Sequence, residues 1–496
     1  MIPFKSIIQL SRQNSNPLFL QISNQIINLI KNGTLRPAYR LPGTRAMAEL
    51  LEVHRKTVIA AYDELNMQGW IDMIPQKGSY VNSKIPVLNY QRIENSELVF
   101  EKKESSFHYY KNQDFIAVEE RPKKVDGIYI DDGICDYRLT PKEELARIYR
   151  NQISKKVNLD FLSYNSAHGN PILRKVLAEY LNNTRGLKIE KENVLITRGS
   201  QMGIHISAHL CLQKGDSILV GETNYQTADI TFQSTGANLI RLKVDEEGIT
   251  TSEISKHCKE NKVRAIYVTS HHHHPTTVTL SAERRIRLLN LSQEYGFAII
   301  EDDYDYDFHY SNSPILPLAS HDQNGNVIYI GSICKLVAPV FRVGYLVAPS
   351  SFVNEAAKYR RYLDRQGDSL LELTFARFIK NGDLDRHTKK ILKIYRERRD
   401  LICELLNKVC KDYVLFEKPK GGMAIWLILK SPYQWEKIKP IAAKKGLFLP
   451  DPKKYDYAKK GHNGVRIGFA SLDLEEIKIF VEKFRSTFEE NEKALK

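Results

Sequence analysis

The stretch that decides the fold of most of the chain reads Ala298-Ile-Ile-Glu-Asp-Asp-Tyr304, followed by Val327-Ile-Tyr-Ile-Gly-Ser-Ile-Cys-Lys335. Each half begins as an apolar run of strand length and ends in polar residues, which predicts two buried strands. Further apolar runs, alternating with helical stretches, begin at Val194, Ser217 and Ala265. This alternation predicts an α/β domain with a largely parallel sheet, whose carboxyl edge would hold Asp302 and Lys335.

The 496 residues exceed what one hydrophobic core usually serves, so we expect more than one domain. Residues 1–83 show short helical patterns closed by a hairpin-like pair of strands. Residues 84–125 are polar and charged with little periodicity, which is typical of a linker. Residues 126–496 carry the α/β pattern. We therefore predict a multidomain chain made of a small N-terminal domain, a linker and a large α/β domain.

Bulk composition sets weaker bounds. The net charge of +14 favours a polyanionic partner, yet only seven Lys and Arg face five Asp and Glu between Lys31 and Val81, so a solvated basic surface explains the total about as well. Six cysteines without a CxxC pair suit a reducing cytosol. The chain shows no signal peptide and no run of ~18 apolar residues. We expect a cytoplasmic protein with no membrane partner.

The N-terminal segment has the pattern of a helix-turn-helix followed by a wing. An apolar helical stripe between Pro17 and Asn32 precedes a helix that begins near Thr44. After a short turn, a further helix begins near His54, and its apolar face consists of Val58, Ala61, Tyr62 and Leu65. Its exposed N-terminal end carries Arg55, Lys56 and Thr57, at the positions that reach bases and phosphates in a major groove. Two short strands around a turn at Lys77 complete the pattern.

The polar ends of the α/β strands meet the requirements of pyridoxal 5'-phosphate (PLP). This cofactor needs a lysine that forms a Schiff base and a carboxylate that keeps the pyridine nitrogen protonated. Lys335 and Asp302 fit these roles, and the phenol of Tyr304 can donate to the ring oxygen. Arg466, in Gly464-Val-Arg466, offers a guanidinium that can bind a substrate or effector carboxylate. The remaining candidates are Ser200, Gln201, Ser332 and Arg342 for the phosphate and Tyr225 for stacking on the ring.

The N-terminal segment resembles the GntR-type winged helix-turn-helix. The matching stretches are Arg40-Leu-Pro-Gly-Thr-Arg45, Arg55-Lys-Thr-Val58, Gly69-Trp70 and Lys77-Gly-Ser-Tyr-Val81. The resemblance spans roughly residues 16–82, with turn, recognition helix and wing in order. It implies DNA contacts by Arg40, Arg45, Arg55, Lys56, Thr57 and Lys77.

Nearly the whole chain resembles the MocR/GabR-type regulators, in which a GntR-type domain is joined to a fold-type I aminotransferase-like domain. Further matches are Tyr164-Asn-Ser-Ala-His-Gly-Asn-Pro171, Lys214-Gly-Asp216 and Gly344-Tyr-Leu-Val347. The resemblance implies a PLP-dependent transcription regulator that binds a double-stranded DNA operator as a homodimer. An amino compound would be the effector, sensed by transaldimination at Lys335. In the alternative, PLP itself is the effector.

The sequence departs from its relatives at two places. Thr269-Ser-His-His-His-His-Pro275 replaces the usual His-Gln-aromatic-Pro segment, so His273 and His274 occupy the glutamine and aromatic positions, and we place His274 at the edge of the cofactor pocket. Thr227 stands where some relatives have a second carboxylate-binding arginine. The absence of an arginine at position 227 argues against a γ-amino acid or dicarboxylate effector.

Other interpretations of the same residues are weaker or remain open. Adjacent histidines in an extended segment point to opposite faces, so we expect no metal site there. Asp303, Asp305 and Asp307 resemble a calcium loop, but Phe308 and Pro314 stand where it needs Gly and Glu. Three alternatives remain open: a working or weakly active aminotransferase with an added DNA-binding module, a PLP-sensing regulator of vitamin B6 synthesis, and a cofactor-free scaffold.

Overall fold

The computed structural model describes residues 2–85, 108–109, 127–310, 315–456 and 460–495. The chain divides into two compact units, Met1–Tyr110 and Lys111–Lys496. Most of the predicted linker, 84–125, lies outside the described residues. The predicted start of the large domain, residue 126, also lies outside them. Every helix in the described part of the chain is too short or too polar to cross a bilayer.

The described residues of the first unit form four helices and a two-stranded antiparallel sheet. Its elements are α1 (Phe4–Ile7), α2 (Leu18–Lys31), α3 (Thr44–Leu51), α4 (Arg55–Met67), β1 (Ile71–Ile74) and β2 (Gly78–Val81). Glu52 ends α3 in the left-handed conformation, at φ +52°, and the side chain of His54 caps α4 by accepting from the backbone N–H of Lys56. The four predicted inward positions of α4, including Tyr62, are buried. The unit is therefore a winged helix-turn-helix.

Twelve α-helices of the second unit are described. They are α5 (Lys142–Ile153), α6 (Pro171–Arg185), α7 (Ser200–Cys211), α8 (Gln226–Ser234), α9 (Ile254–Glu260), α10 (Ala282–Tyr295), α11 (Leu318–His321), α12 (Ser350–Leu363), α13 (Ser369–Lys380), α14 (Asp383–Val409), α15 (Trp435–Lys444) and α16 (Leu474–Leu495). Buried apolar residues of α13, α14 and α16 belong to the largest core cluster, so these helices anchor the C-terminal part of the unit.

The strands of this unit form one large sheet and several small ones. They are β3 (Ile128–Tyr129), β4 (Val194–Thr197), β5 (Ser217–Gly221), β6 (Asn238–Leu242), β7 (Val244–Asp245), β8 (Gly248–Ile249), β9 (Val263–Val268), β10 (Ala298–Asp303), β11 (Val327–Ser332), β12 (Gly344–Val347), β13 (Val414–Leu415), β14 (Ala424–Leu429), β15 (Leu447–Phe448) and β16 (Gly464–Gly468). All five apolar runs predicted as strands are present.

The large sheet has seven strands in the order β4-β12-β11-β10-β9-β5-β6. Its pairs are parallel except for those of β12, which is antiparallel to both β11 and β4. The sheet is fully buried at its centre, where Ile300 and Ile330 are inaccessible to solvent. Asp302 pairs with Ile330 in register, so β10 and β11 end side by side. The loops that follow these strands therefore converge at one edge, which confirms the predicted α/β architecture.

Candidate cofactor pocket and nucleic-acid interface

A cavity of about 350 Å³ lies at the carboxyl edge of the large sheet. The strands β4, β5, β10 and β11 end there, because they run in the same direction through the sheet. Nine predicted site residues line it: Ser200, Gln201, Tyr225, His274, Asp302, Tyr304, Ser332, Lys335 and Arg342. Although they come from segments spread over more than 140 residues, the parallel topology brings them together.

Asp302 is buried and Lys335 is half-buried, and this environment shifts the pKa values of both side chains. Burial raises the pKa of the Asp302 carboxyl to about 7. Its Oδ2 accepts a hydrogen bond from the Tyr267 hydroxyl at 2.8 Å, whereas Oδ1 has no partner among the described residues. Burial lowers the pKa of the Lys335 ammonium, and its Nζ lies 4.0 Å from the centre of the Tyr304 ring. The pocket therefore holds an amine shifted toward its nucleophilic neutral form and a buried acceptor with one free oxygen.

The start of α7 and the loop after β11 form an anion-binding corner. Gly199 precedes the helix at φ +78°, a conformation that glycine adopts without steric cost. A methyl group at this position would lie 2.6 Å from Nη2 of Arg342, which donates to the carbonyl of Arg198 at 2.8 Å. Arg342 itself is left-handed, at φ +50°. A helix N-terminus with Ser200 and an adjacent guanidinium is suited to a phosphate group.

Tyr304 and Arg466 are bound to protein groups in the structure. The Tyr304 hydroxyl donates to the carbonyl of His272 at 3.0 Å and accepts from Nη2 of Arg466 at 3.2 Å. Arg466 also donates from Nε to the carbonyl of Asp132 at 2.7 Å and from Nη1 to that of Pro275 at 3.2 Å. A carboxylate ligand at Arg466 would therefore compete with three protein oxygens.

The four adjacent histidines contact protein oxygens on different sides of the segment. Nδ1 of His271 lies 3.1 Å from Asp303, and Nδ1 of His272 lies 2.9 Å from Asp305. His273 contacts the carbonyl of Thr223 at 2.8 Å, and the ring of His274 lies edge-on to Tyr225 with centroids 5.3 Å apart. Burial lowers the pKa of His273 to about 4. These side chains support the wall of the pocket.

Among the lining residues that sequence reasoning missed, three have polar or ionisable side chains: Asp132, Cys135 and Tyr267. Tyr267 lies inside an apolar run that we interpret only as a core strand. A single hydroxyl in such a run was the sequence feature that could have indicated a pocket residue. Asp132 and Cys135 follow β3, about 200 residues before Lys335 in the chain. The adjacent carboxylates before Gly133 were a visible signal, but the sequence does not show where this turn lies.

The predicted DNA contacts lie on the surface of the first unit. Thr57 is half-buried, and the five cations are exposed. These cations are Arg40, Arg45, Arg55, Lys56 and Lys77. Nε of Arg55 lies 3.4 Å from Oγ1 of Thr44, which ties the start of α4 to α3. Within the described residues, no carboxylate lies within 4.0 Å of these cations. We call these six residues the DNA-reading face.

Together the two units define a class of protein in which a winged helix-turn-helix is joined to a fold-type I PLP-binding domain. The chain belongs to the aminotransferase class I and II family, whose model matches residues 136–484. Residues 18–81 match the model of the gntR family of bacterial regulatory proteins. This combination confirms the predicted MocR/GabR-type organisation and PLP as the cofactor of the larger domain.

Relatives with both parts cover most of the chain. It is 28% identical over 421 residues to the uncharacterized HTH-type transcriptional regulator YisV of Bacillus subtilis, covering 84% of this chain and 85% of that protein. It is 25% identical over 486 residues to the probable rhizopine catabolism regulatory protein MocR of Rhizobium meliloti. This alignment covers 97% of this chain and 96% of that protein. A solved structure, the kynurenine aminotransferase of Pyrococcus horikoshii, matches with a TM-score of 0.69 and 27% identity, covering 74% of this chain and 92% of that one.

Proposed function

We propose that the chain is a transcription regulator whose affinity for a DNA operator is set by a small amine bound in the cofactor pocket. The observation that carries this proposal is the presence, in one chain, of an exposed cationic face on a winged helix-turn-helix and of a pocket built around Lys335. A ligand can bias such a protein only if it binds the DNA-binding and non-binding states with different affinities.

The residues of the pocket fit PLP. When bound, PLP supplies an aldehyde that reacts with primary amines and a pyridine ring that withdraws electrons. Lys335 would hold the aldehyde, and the unpartnered Oδ1 of Asp302 would accept the ring N–H. The start of α7, with Arg342, would hold the phosphate, and Tyr225 and His274 would flank the ring. We propose that the effector amine and the Lys335 amine compete for one position in this pocket.

The DNA-reading face would bind a duplex operator with α4 in the major groove. Arg55, Lys56 and Thr57 lie in its first turn, where side chains reach base edges and phosphates. Arg45 on α3 and Lys77 in the wing would contact the backbone on either side. Because the cations lack carboxylate partners in the described residues, their charge remains available to phosphates.

We propose that the protein acts as a homodimer in the cytoplasm. Helix-turn-helix proteins commonly read paired half-sites, which requires two copies. In the second unit, four large apolar side chains within eight residues are exposed: Val157, Leu159, Leu162 and Tyr164. Apolar side chains clustered in this way are typical of an interface. Sedimentation at micromolar concentration tests the dimer, and a monomer that still binds a palindromic operator tightly would contradict it.

The central experiment measures the dissociation constant of the full chain for the duplex upstream of its own coding sequence. It compares cofactor-free protein, PLP-loaded protein, and PLP-loaded protein with a panel of primary amines. We expect at least one amine to change the DNA affinity of the loaded protein by about fivefold or more. DNA affinity that is indifferent to every amine would overturn gating.

The same preparation distinguishes the alternatives. If PLP alone changes DNA affinity and amines add nothing, the effector is the cofactor itself. If the loaded protein turns over an amino donor and a keto acceptor at about 10 per second, it is a working aminotransferase with a DNA-binding module. The neutral form of Lys335, favoured by burial, is compatible with weak transaminase activity, so only sustained turnover counts for this alternative.

A further inference from the structure

Asp132 brings a carboxylate to the cofactor pocket, and its backbone is held firmly in place. Asp131 fixes the turn, because its Oδ1 accepts from the backbone N–H groups of Gly133 at 2.8 Å and Ile134 at 2.9 Å. The carbonyl of Asp132 accepts from Nε of Arg466 at 2.7 Å. The side chain of Asp132 itself is 47% exposed and lines the same cavity as Lys335. The Asp132 carboxylate thus lies at the edge of the space that an effector would enter.

No permanent cation neutralises this carboxylate. Its Oδ2 lies 3.8 Å from Nε2 of His274, and no Lys or Arg nitrogen of a described residue lies within 4.0 Å. Burial lowers the pKa of the His274 imidazole, which disfavours its protonated form. Burial opposes ionisation of Asp132, but the neighbouring His274 and the charges of Lys335 and Arg466 outweigh it and hold the pKa of Asp132 well below its ordinary value. Asp132 is therefore a negative charge facing the pocket.

The pocket is poorly suited to an effector carboxylate. The three guanidinium nitrogens of Arg466 all donate to protein oxygens, including the Tyr304 hydroxyl. Arg342 lies in the corner that fits the cofactor phosphate, beside Gly199. A carboxylate brought near Arg466 would also approach Asp132, and like charges repel most strongly where solvent is excluded.

Asp132 also lines a second cavity of about 590 Å³. Its other walls include the aromatic rings of Tyr129, Phe448 and Tyr455, and of the charged residues that line it four are acidic and three are basic. Asp132 contributes to the linings of both cavities, so it lies at their common boundary. Aromatic rings beside a carboxylate favour a cationic group in the same place.

We propose that Asp132 determines effector specificity by binding a second cationic group, so that the effector is an aliphatic diamine or guanidino-amine with one nitrogen toward Lys335 and the other at Asp132. This inference rests on the proposed function, because it identifies the effector class of the same pocket. The monoamine of equal length lacks the second contact, and the amino acid of equal length places a carboxylate against Asp132.

The experiment uses the full PLP-loaded chain and three ligand series: alkyl monoamines, α,ω-diamines and ω-amino acids of three to six carbons. Binding is followed by the visible absorbance of the cofactor and independently by calorimetry. We expect the best diamine to bind at least about tenfold more tightly than its matched monoamine, and the amino acids to bind more weakly than either.

Asp132→Asn should bring the ratio of diamine affinity to monoamine affinity close to one. Asp473→Asn removes an equally exposed carboxylate, also 47% exposed, outside the linings of both cavities, and should preserve the ratio.

A second variant, Asp132→Glu, keeps the charge and extends it by one methylene. It should retain the preference for diamines but shift the optimum to a shorter diamine, so it serves even if Asp132→Asn does not fold. Equal affinity of the unaltered chain for the three series, or a diamine preference that survives in Asp132→Asn, would overturn this inference while leaving the proposed function intact. Loaded protein that responds to no amine at all would instead overturn the proposed function.

Discussion

In the cofactor pocket, Asp302 is buried and Lys335 is half-buried, and desolvation shifts the pKa values of both side chains toward the uncharged forms. On the DNA-reading face, Arg55 and Lys56 are exposed and lack a carboxylate partner among the described residues. The pocket thus controls which protonation state reacts, whereas the face keeps its charge permanently available. Burial shifts the protonation of the pocket side chains, whereas exposed cations keep their attraction for phosphates. Substitutions in the pocket should therefore change cofactor binding, and substitutions on the DNA-reading face should change DNA affinity.

The largest effect is expected from Lys335→Ala, which removes the amine that would hold the cofactor. Because a side chain without nitrogen cannot bond to the aldehyde, dialysis should remove the cofactor completely, and borohydride reduction should leave no pyridoxyl group on the chain. Mass spectrometry measures both. Lys188→Ala, an exposed lysine of the same unit, should retain the pyridoxyl group. A reduced adduct in Lys335→Ala would place the attachment on another residue.

Gly199→Ala should have the next largest effect, because it combines backbone strain with a clash. A non-glycine residue at positive φ costs about 1–2 kcal/mol, and the new methyl group would meet Arg342 at 2.6 Å. Thermal unfolding should show the stability loss, and PLP affinity should fall by about tenfold or more as Arg342 shifts. Gly296→Ala also places a side chain at positive φ, +71°, but has open space around it, so it should lower stability without changing PLP affinity. Equal PLP affinity in both variants would contradict the role of this corner.

Tyr267→Phe should have a smaller effect, and it tests how the pocket sets the pKa of the Asp302 carboxyl. The Tyr267 hydroxyl donates to Asp302, which favours the charged form, so its loss should raise the Asp302 pKa from about 7 by about 1. Carbon NMR titration of the cofactor-free protein measures this, and at pH 7 the carboxyl should be mostly protonated. Tyr329→Phe removes a similar bond to Asp303 and should leave the Asp302 pKa nearly unchanged. A lower Asp302 pKa in Tyr267→Phe would show that the Tyr267 hydroxyl does not favour the charged form of Asp302.

The contrast between the two regions also explains what the sequence could predict. Apolar runs located the central strands, and their polar ends located Asp302 and Lys335, because parallel strands bring their carboxyl ends together. The helix-turn-helix was predictable because all its contacts are local. Asp132 and the partners of Arg466 were not, since they depend on a turn after β3 meeting β16, more than 300 residues later. Periodicity carries no information about such distant contacts.

The smallest effect is expected on the DNA-reading face, where many weak contacts share the binding. Lys56→Ala removes one exposed charge from the first turn of α4, so operator affinity should fall only about fivefold. The slope of log affinity against log salt should become shallower by about 0.9, because one fewer phosphate is neutralised. Arg12→Ala, an exposed cation before α2, should change neither quantity. A lower affinity with an unchanged salt slope would mean that Lys56 acts through base contacts or folding, and the simple division between buried chemistry and exposed attraction would then fail on this helix.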